Sequence, residues 1–218
     1  MVKKILLVVL VIVVLFLVFR NVDFVKNTSL TNGETANFTP SVGDFSQQKI
    51  SNESYITWFG ENKIQIKSHT GTLKFDTNIS FLGLAPKNEA GEMEVVGGQL
   101  VIDMTTLSGE NEPEMLINHL KSADFFDVET YPQANFVITG KADEQVQGLL
   151  TMKGVTQEVI VPYTLSQTET GYEIQGQFEL DRTLWGVTTL SSSFFEDIGD
   201  SVVEDTIKLD FVVYTTSN

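Results

Sequence analysis

The side chains able to do chemistry in this 218-residue chain are few, and they are scattered. There is no cysteine, which removes disulfides, thiolate nucleophiles and thiolate metal sites. His69 and His119 are the two histidines, far apart in the chain and without a second histidine at helical or hairpin spacing, so a metal site would have to recruit scattered carboxylates. A Ser-His-Asp arrangement stays open on composition, but no G-x-S-x-G elbow is present to carry the nucleophile. For both histidines a structural hydrogen-bonding role is expected over catalysis, which needs an oriented partner. Carboxylates cluster at Glu110, Glu112 and Glu114, at Glu196, Asp197 and Asp200, and at Glu204 and Asp205. Paired carboxylates can hydrolyse glycosides, and loop oxygens suit weak Ca²⁺ binding. These acids fall in apparent loops or just before strands, where such groups are usually solvated. The expectation is therefore a protein that is not an enzyme, with no cofactor and no metal. In Asp181-Arg182-Thr183-Leu184-Trp185-Gly186, Arg182 is expected to stack on Trp185 or Trp58 and pair with an acid. Such a cation–π contact is worth roughly 0.5 to 2 kcal/mol, a structural lock.

The elements that would position these residues follow a period of two. Tyr172, Ile174, Phe178 and Leu180 alternate with Glu173, Gln175, Gln177 and Glu179. Ile207, Leu209, Phe211 and Val213 alternate with Lys208 and Asp210, and Val159, Val161, Tyr163 and Leu165 do so against Glu158 and Thr164. Strands with one apolar and one polar face are antiparallel-sheet strands. The pattern predicts about eight of them, near 54–60, 62–75, 97–107, 134–141, 145–153, 157–166, 171–182 and 204–216. No βαβ alternation appears, so the class is all-β. Eight strands close as a barrel or stack as a sandwich, and periodicity leaves that choice open. Between the third and fourth strands, Ser108–Thr130 predicts a short amphipathic helix with Met115, Leu116 and Leu120 on its apolar side. That helix runs into the aromatic corner Asp124-Phe125-Phe126-Asp127 and the pair Tyr131-Pro132. Residues 81–96 read as a longer insert with two apolar clusters, a second flap.

Charge and hydropathy set the location. The net charge is −15, and all 29 acidic groups lie beyond the first 20 residues, which hold Lys3, Lys4 and Arg20. So acidic a surface repels phosphate backbones and anionic lipid, and no nucleic-acid partner is expected. Ile5–Phe19 is a continuous apolar run. As a helix it spans roughly 22 Å, short of a hydrocarbon core of about 30 Å, a gap that flanking Lys and Arg can close by snorkelling. The alternative is a cleaved secretory signal, but the small residues that cleavage needs are missing after Phe19. The expected organisation is a signal anchor over 1–20, a flexible linker over 21–53 and one β domain over 54–218. The domain is then on the extracytoplasmic side of a single-pass cell-membrane protein, or secreted or periplasmic if the signal is cut.

Several ordered blocks carry a family resemblance. Asn118–Pro132 (NHLKSADFFDVETYP), Ser68–Phe75 (SHTGTLKF), Gly97–Leu107 (GGQLVIDMTTL), Gly148–Tyr163 (GLLTMKGVTQEVIVPY), Leu180–Val187 (LDRTLWGV) and Ser192–Asp200 (SSFFEDIGD) together resemble the YceI-like lipid-binding family. His69 and His119 both fall in these blocks. The resemblance implies an eight-stranded antiparallel lipocalin-like barrel, closed on one side by the helical insert. It also implies a ligand of isoprenoid or similar long apolar lipid type. Inward parity then nominates Phe136 and Ile138, Leu150 and Met152, Val159 and Val161, and Phe178 and Leu180 as lipid-contacting residues. The insert adds Leu107, Leu116, Leu120, Phe125 and Phe126. The expected function is an extracytoplasmic lipid carrier tethered to the membrane by its N-terminal helix. The competing reading is a cell-envelope structural or protein-interaction module with a filled core, and whether the chain pairs as a homodimer is left open.

Overall fold

Alternation becomes strand wherever one face is covered, and β6 (Gln133–Ala142), β7 (Gln145–Met152) and β8 (Val155–Pro162) show it most simply. In β7, Val146, Gly148, Leu150 and Met152 are buried while Gln145 and Gln147 face water. Lys153 and Gly154, both at positive φ (48° and 76°), make the two-residue turn whose twist matches the flanking strands. Register sets Phe136 opposite Leu150, Ile138 opposite Gly148, and Gly148 opposite Val159.

The computed structural model describes residues 45–62, 67–195 and 202–216. The expected N-terminal membrane helix, the linker up to residue 44 and the cluster Glu196, Asp197 and Asp200 lie outside them. No helix among the described residues is long and apolar enough to cross a membrane. The other strands are β1 (Ser46–Ile50), β2 (Tyr55–Asn62), β3 (Lys67–Phe75), β4 (Phe81–Pro86), β5 (Met93–Asp103), β9 (Thr164–Gln167), β10 (Tyr172–Asp181) and β11 (Thr206–Thr216). All belong to one antiparallel sheet, in the neighbour order β3-β2-β11-β1-β4-β5-β6-β7-β8. In addition β3 meets β5, and β10 pairs with both β11 and β9. One α-helix, α1 (Glu114–Lys121), lies in the insert, as predicted.

Three strands correct the expected eight. β1 falls within the segment read as linker; it has one apolar residue, Ile50, 4% exposed, and a single apolar position leaves no periodic trace. β4 occupies the expected second flap and instead pairs with β1 and β5. Its Leu82, Gly83, Leu84 and Ala85 are all buried, because the ring of Phe45 lies against Gly83 from the far side. A strand covered on both faces loses its alternation. β9 separates from β8 at Tyr163. The expected strand over 97–107 begins earlier, at Met93, and stops at Asp103, whose carboxylate accepts from the Thr105 N–H and caps a 3₁₀ turn over Met104–Thr106.

The helix also turns a different face inward. Met115 is 81% exposed, while Ile117 and Leu120 pack on the core. Pro113 starts the helix, and inward positions then recur at Ile117 and Leu120, the spacing of one helical stripe.

Candidate functional site

The inward faces of the strands enclose an apolar cavity of about 180 Å³, roughly ten times the room one water needs. Glycines let aromatic rings lie flat against its wall. A Cβ at Gly148 would meet the Phe136 ring at 2.3 Å, and one at Gly176 the Phe211 ring at 2.7 Å. Phe211 in turn meets Phe178 edge to face, 6.3 Å between centroids. The insert supplies a cover: Leu107 and Phe125 are 3% and 5% exposed, and Leu120 and Phe126 sit half-buried over the same space.

Of the residues nominated from sequence, the cavity is lined by Leu107, Leu120, Phe125, Phe126, Phe136 and Ile138. It is lined equally by Leu150, Met152, Val159, Val161, Phe178 and Leu180. Leu116 is the correction, outside the lining because the helix presents Ile117 and Leu120 to the core instead. The wall also includes residues not nominated, chiefly Ile56 and Trp58 of β2, Leu73 of β3, and Leu209 and Phe211 of β11. The same period-two signal marks their strands.

Three residues with polar side chains stand among those that line it, Tyr163, Arg182 and Glu204. Tyr163 crosses from the β8–β9 junction to β5, where its oxygen accepts from the Val95 N–H at 3.1 Å. Burial raises its phenol above the ordinary tyrosine value, the Val95 hydrogen bond opposes this, and Glu94 adds to the rise. Arg182 is 2% exposed, yet all five N–H groups have acceptors. Nε donates to the Glu204 carbonyl, Nη1 to those of Val187 and Thr189, and Nη2 to that of Val203 and to Asp205 Oδ1 at 3.3 Å. Burial lowers the guanidinium's pKa, and Asp205 and Asp181 pull it back up. The expected pairing with an acid is thus present, but the ring under Arg182 is Phe125, 5.9 Å from Cζ, in place of either tryptophan. Trp185 donates to the Leu150 carbonyl and Trp58 to that of Ser108. Arg182 fastens the cover as well as the strand end, since Thr189 also donates to the Asp124 carbonyl.

Both histidines sit away from the lining. His69 Nδ1 is 2.7 Å from Glu112 Oε2, and Glu112 Oε1 accepts from the Thr70 N–H. Their pairing holds the loop before α1 on the edge of β3, where Ser108 and Thr72 exchange backbone hydrogen bonds. His119 packs edge-on against Phe125 at 5.0 Å and lies 3.6 Å from Asp124. Each histidine thus contacts a neighbouring part of the fold, His69 the loop before α1 and His119 the aromatic corner after it.

Comparison with known proteins accords with this geometry. The family profile described as a YceI-like domain matches residues 31–214. A "UPF0312 protein" of Pseudomonas putida strain F1 is 32% identical over 150 residues, 66% of this chain and 71% of the relative. A "UPF0312 protein" of Staphylococcus aureus strain USA300 is 28% identical over 96 residues, 44% of this chain and 54% of its own. Among solved structures, a polyisoprenoid binding domain from Saccharophagus degradans superposes with a TM-score of 0.55 at 15% identity, covering 80% of this chain and all of that domain. Burkholderia cenocepacia BcnA gives 0.53 at 20% identity, covering 74% and 95%. At such identities these two structures speak to the fold alone. With a profile match running from the residues before β1 to residue 214, near the end of β11, the chain belongs to the YceI-like domain family.

Proposed function

We propose that this protein is a lipid carrier whose strands form a lipocalin-like barrel around one isoprenoid or other long-chain apolar molecule, and that it acts by binding rather than catalysis. The observation that carries this is the apolar cavity, whose polar residues are already engaged: Tyr163 by Val95, Arg182 by four carbonyls and Asp205, and Glu204 through its carbonyl to Arg182 and its N–H to the Glu61 carbonyl. A buried ligand headgroup would lack a free partner there, whereas each methylene moved out of water gains about 0.8 kcal/mol. The pairing of β9 with β10, and of β10 with β11, supports the barrel, because β9 follows β8 directly in the chain and so leads the β8 end of the neighbour order back to β11. The polyisoprenoid-binding relative supports the ligand class. The run Ile5–Phe19 supports an extracytoplasmic domain tethered to the membrane. Organic extraction of the purified protein followed by mass spectrometry is expected to release an isoprenoid or other long-chain lipid. If extracts hold none and the folded protein takes up none, the filled-core module replaces this reading.

A further inference from the structure

Resting on the lipid-carrier reading, we infer that the ligand enters and leaves sideways, through a seam in the wall between β8 and β10. These strands lie side by side without a hydrogen-bonded ladder between them. β8 pairs with β7 alone, and β10 pairs with β11 throughout but with β9 only over Tyr172–Gln175. Two contacts bound the gap. At one end the strands close up, so that a Cβ at Gly176 would meet the Pro162 carbonyl oxygen at 2.2 Å. At the other, Gln157 Nε2 donates to the Leu184 carbonyl at 3.0 Å, holding the 3₁₀ turn Arg182–Trp185 against β8. Residues 158–161 of β8 and 177–181 of β10 lie between, a window about 15 Å long at roughly 3.3 Å per residue. Its inner lips are cavity-lining, with Val159 and Phe178 half-exposed. Its outer lip carries Ile160 and Leu184, large apolar side chains 49% and 54% exposed.

The alternative route, through the cover, has to undo more. Phe125 is 5% exposed beneath Arg182, the Asp124 carbonyl accepts from Thr189, and Lys121 Nζ donates to the Thr105 carbonyl at 2.8 Å. Widening the seam breaks no ladder; among the described residues one side-chain hydrogen bond spans it. Lifting the cover unburies an aromatic ring, takes that ring away from the Arg182 cation and breaks both of these hydrogen bonds, each costly in free energy.

The absence of cysteine makes the test clean. Ile160→Cys and, as control, Ile79→Cys are each labelled with one bulky maleimide; both wild-type residues are 49% exposed, and Ile79 lies in the turn before β4, away from the seam. Uptake of an uncharged, fluorescent conjugated-polyene C18 alcohol from phosphatidylcholine vesicles is then followed in time on the full chain. Labelled Ile160→Cys is expected to load at least tenfold more slowly than wild type, with labelled Ile79→Cys unchanged. Gln157→Ala, which cuts the bond across the seam, is expected to load severalfold faster. Equal rates for both labelled proteins overturn the seam while leaving the carrier reading intact, and so place the entrance at the cover. No uptake by wild type at equilibrium overturns both.

Discussion

At the scale of single residues, Arg182 carries the most consequence. Its burial is tolerated because every N–H has an acceptor, and the planar fork that reaches four carbonyls and Asp205 has no equivalent in lysine. Arg182→Ala leaves those acceptors unpaired in a dry site and is expected to cost about 3–5 kcal/mol, read as a shift of the urea midpoint. Arg182→Lys should recover only part of it. The sequence marked Arg182 as a strand-end lock because it stands in DRTLWG, but not its acceptors, which come from 187–189 and 203–205, nor its ring, which comes from the insert. Tyr163 adds a pH dependence. Its phenol titrates higher folded than unfolded, because burial disfavours the phenolate. Folding therefore favours the protonated form. That contribution is complete below the ordinary tyrosine value near 10 and is lost as pH rises through the folded value. Urea unfolding at stepped alkaline pH should show wild type losing stability more steeply than Tyr163→Phe.

At the scale of elements, the period-two strands were legible because each buries one face. Once parity is known, every inward residue of a strand follows from any one of them. Hence Phe136, Ile138, Leu150 and Met152 were found together, and all line the cavity. β1 and β4 were not legible, the first too polar and the second covered on both sides. The face of α1 was misread for a related reason: in an eight-residue helix rich in apolar side chains, two stripes compete, and only packing against the core selects Ile117 and Leu120. Two substitutions test the wall. Gly148→Ala puts a methyl where the Phe136 ring lies, so the ring must swing into the cavity. A cost of about 1–3 kcal/mol is expected, with reduced lipid capacity by extraction and mass spectrometry. Ile138→Glu places a carboxylate inside without a partner, costing several kcal/mol. Retained folding by circular dichroism together with undiminished lipid would contradict the apolar cavity.

At the scale of the whole molecule, one apolar core joins the described residues, in a chain without cysteine and, among those residues, without a cluster of three His, Asp or Glu side chains placed to hold a metal. A chain beginning near residue 45 is accordingly expected to fold and stay folded after chelation, as circular dichroism would show; it should start at Phe45 because that ring covers Gly83. The apolar run Ile5–Phe19 is expected to stay attached in membrane fractions, and N-terminal sequencing that begins beyond residue 20 there would refute the anchor. By itself the sequence determined the class of the fold, the parity of most strands, the place of the helical insert, and about half of the cavity residues from the insert and the strands that follow it, because alternation and turn residues are local properties. Tertiary structure alone decided that β4 is a strand rather than a flap, that Phe125 lies under Arg182, that Tyr163 reaches β5, and that β8 and β10 run together without pairing. Each of these depends on segments distant in the chain meeting in space, and their burial or hydrogen bonding leaves no mark on the local spacing of residues.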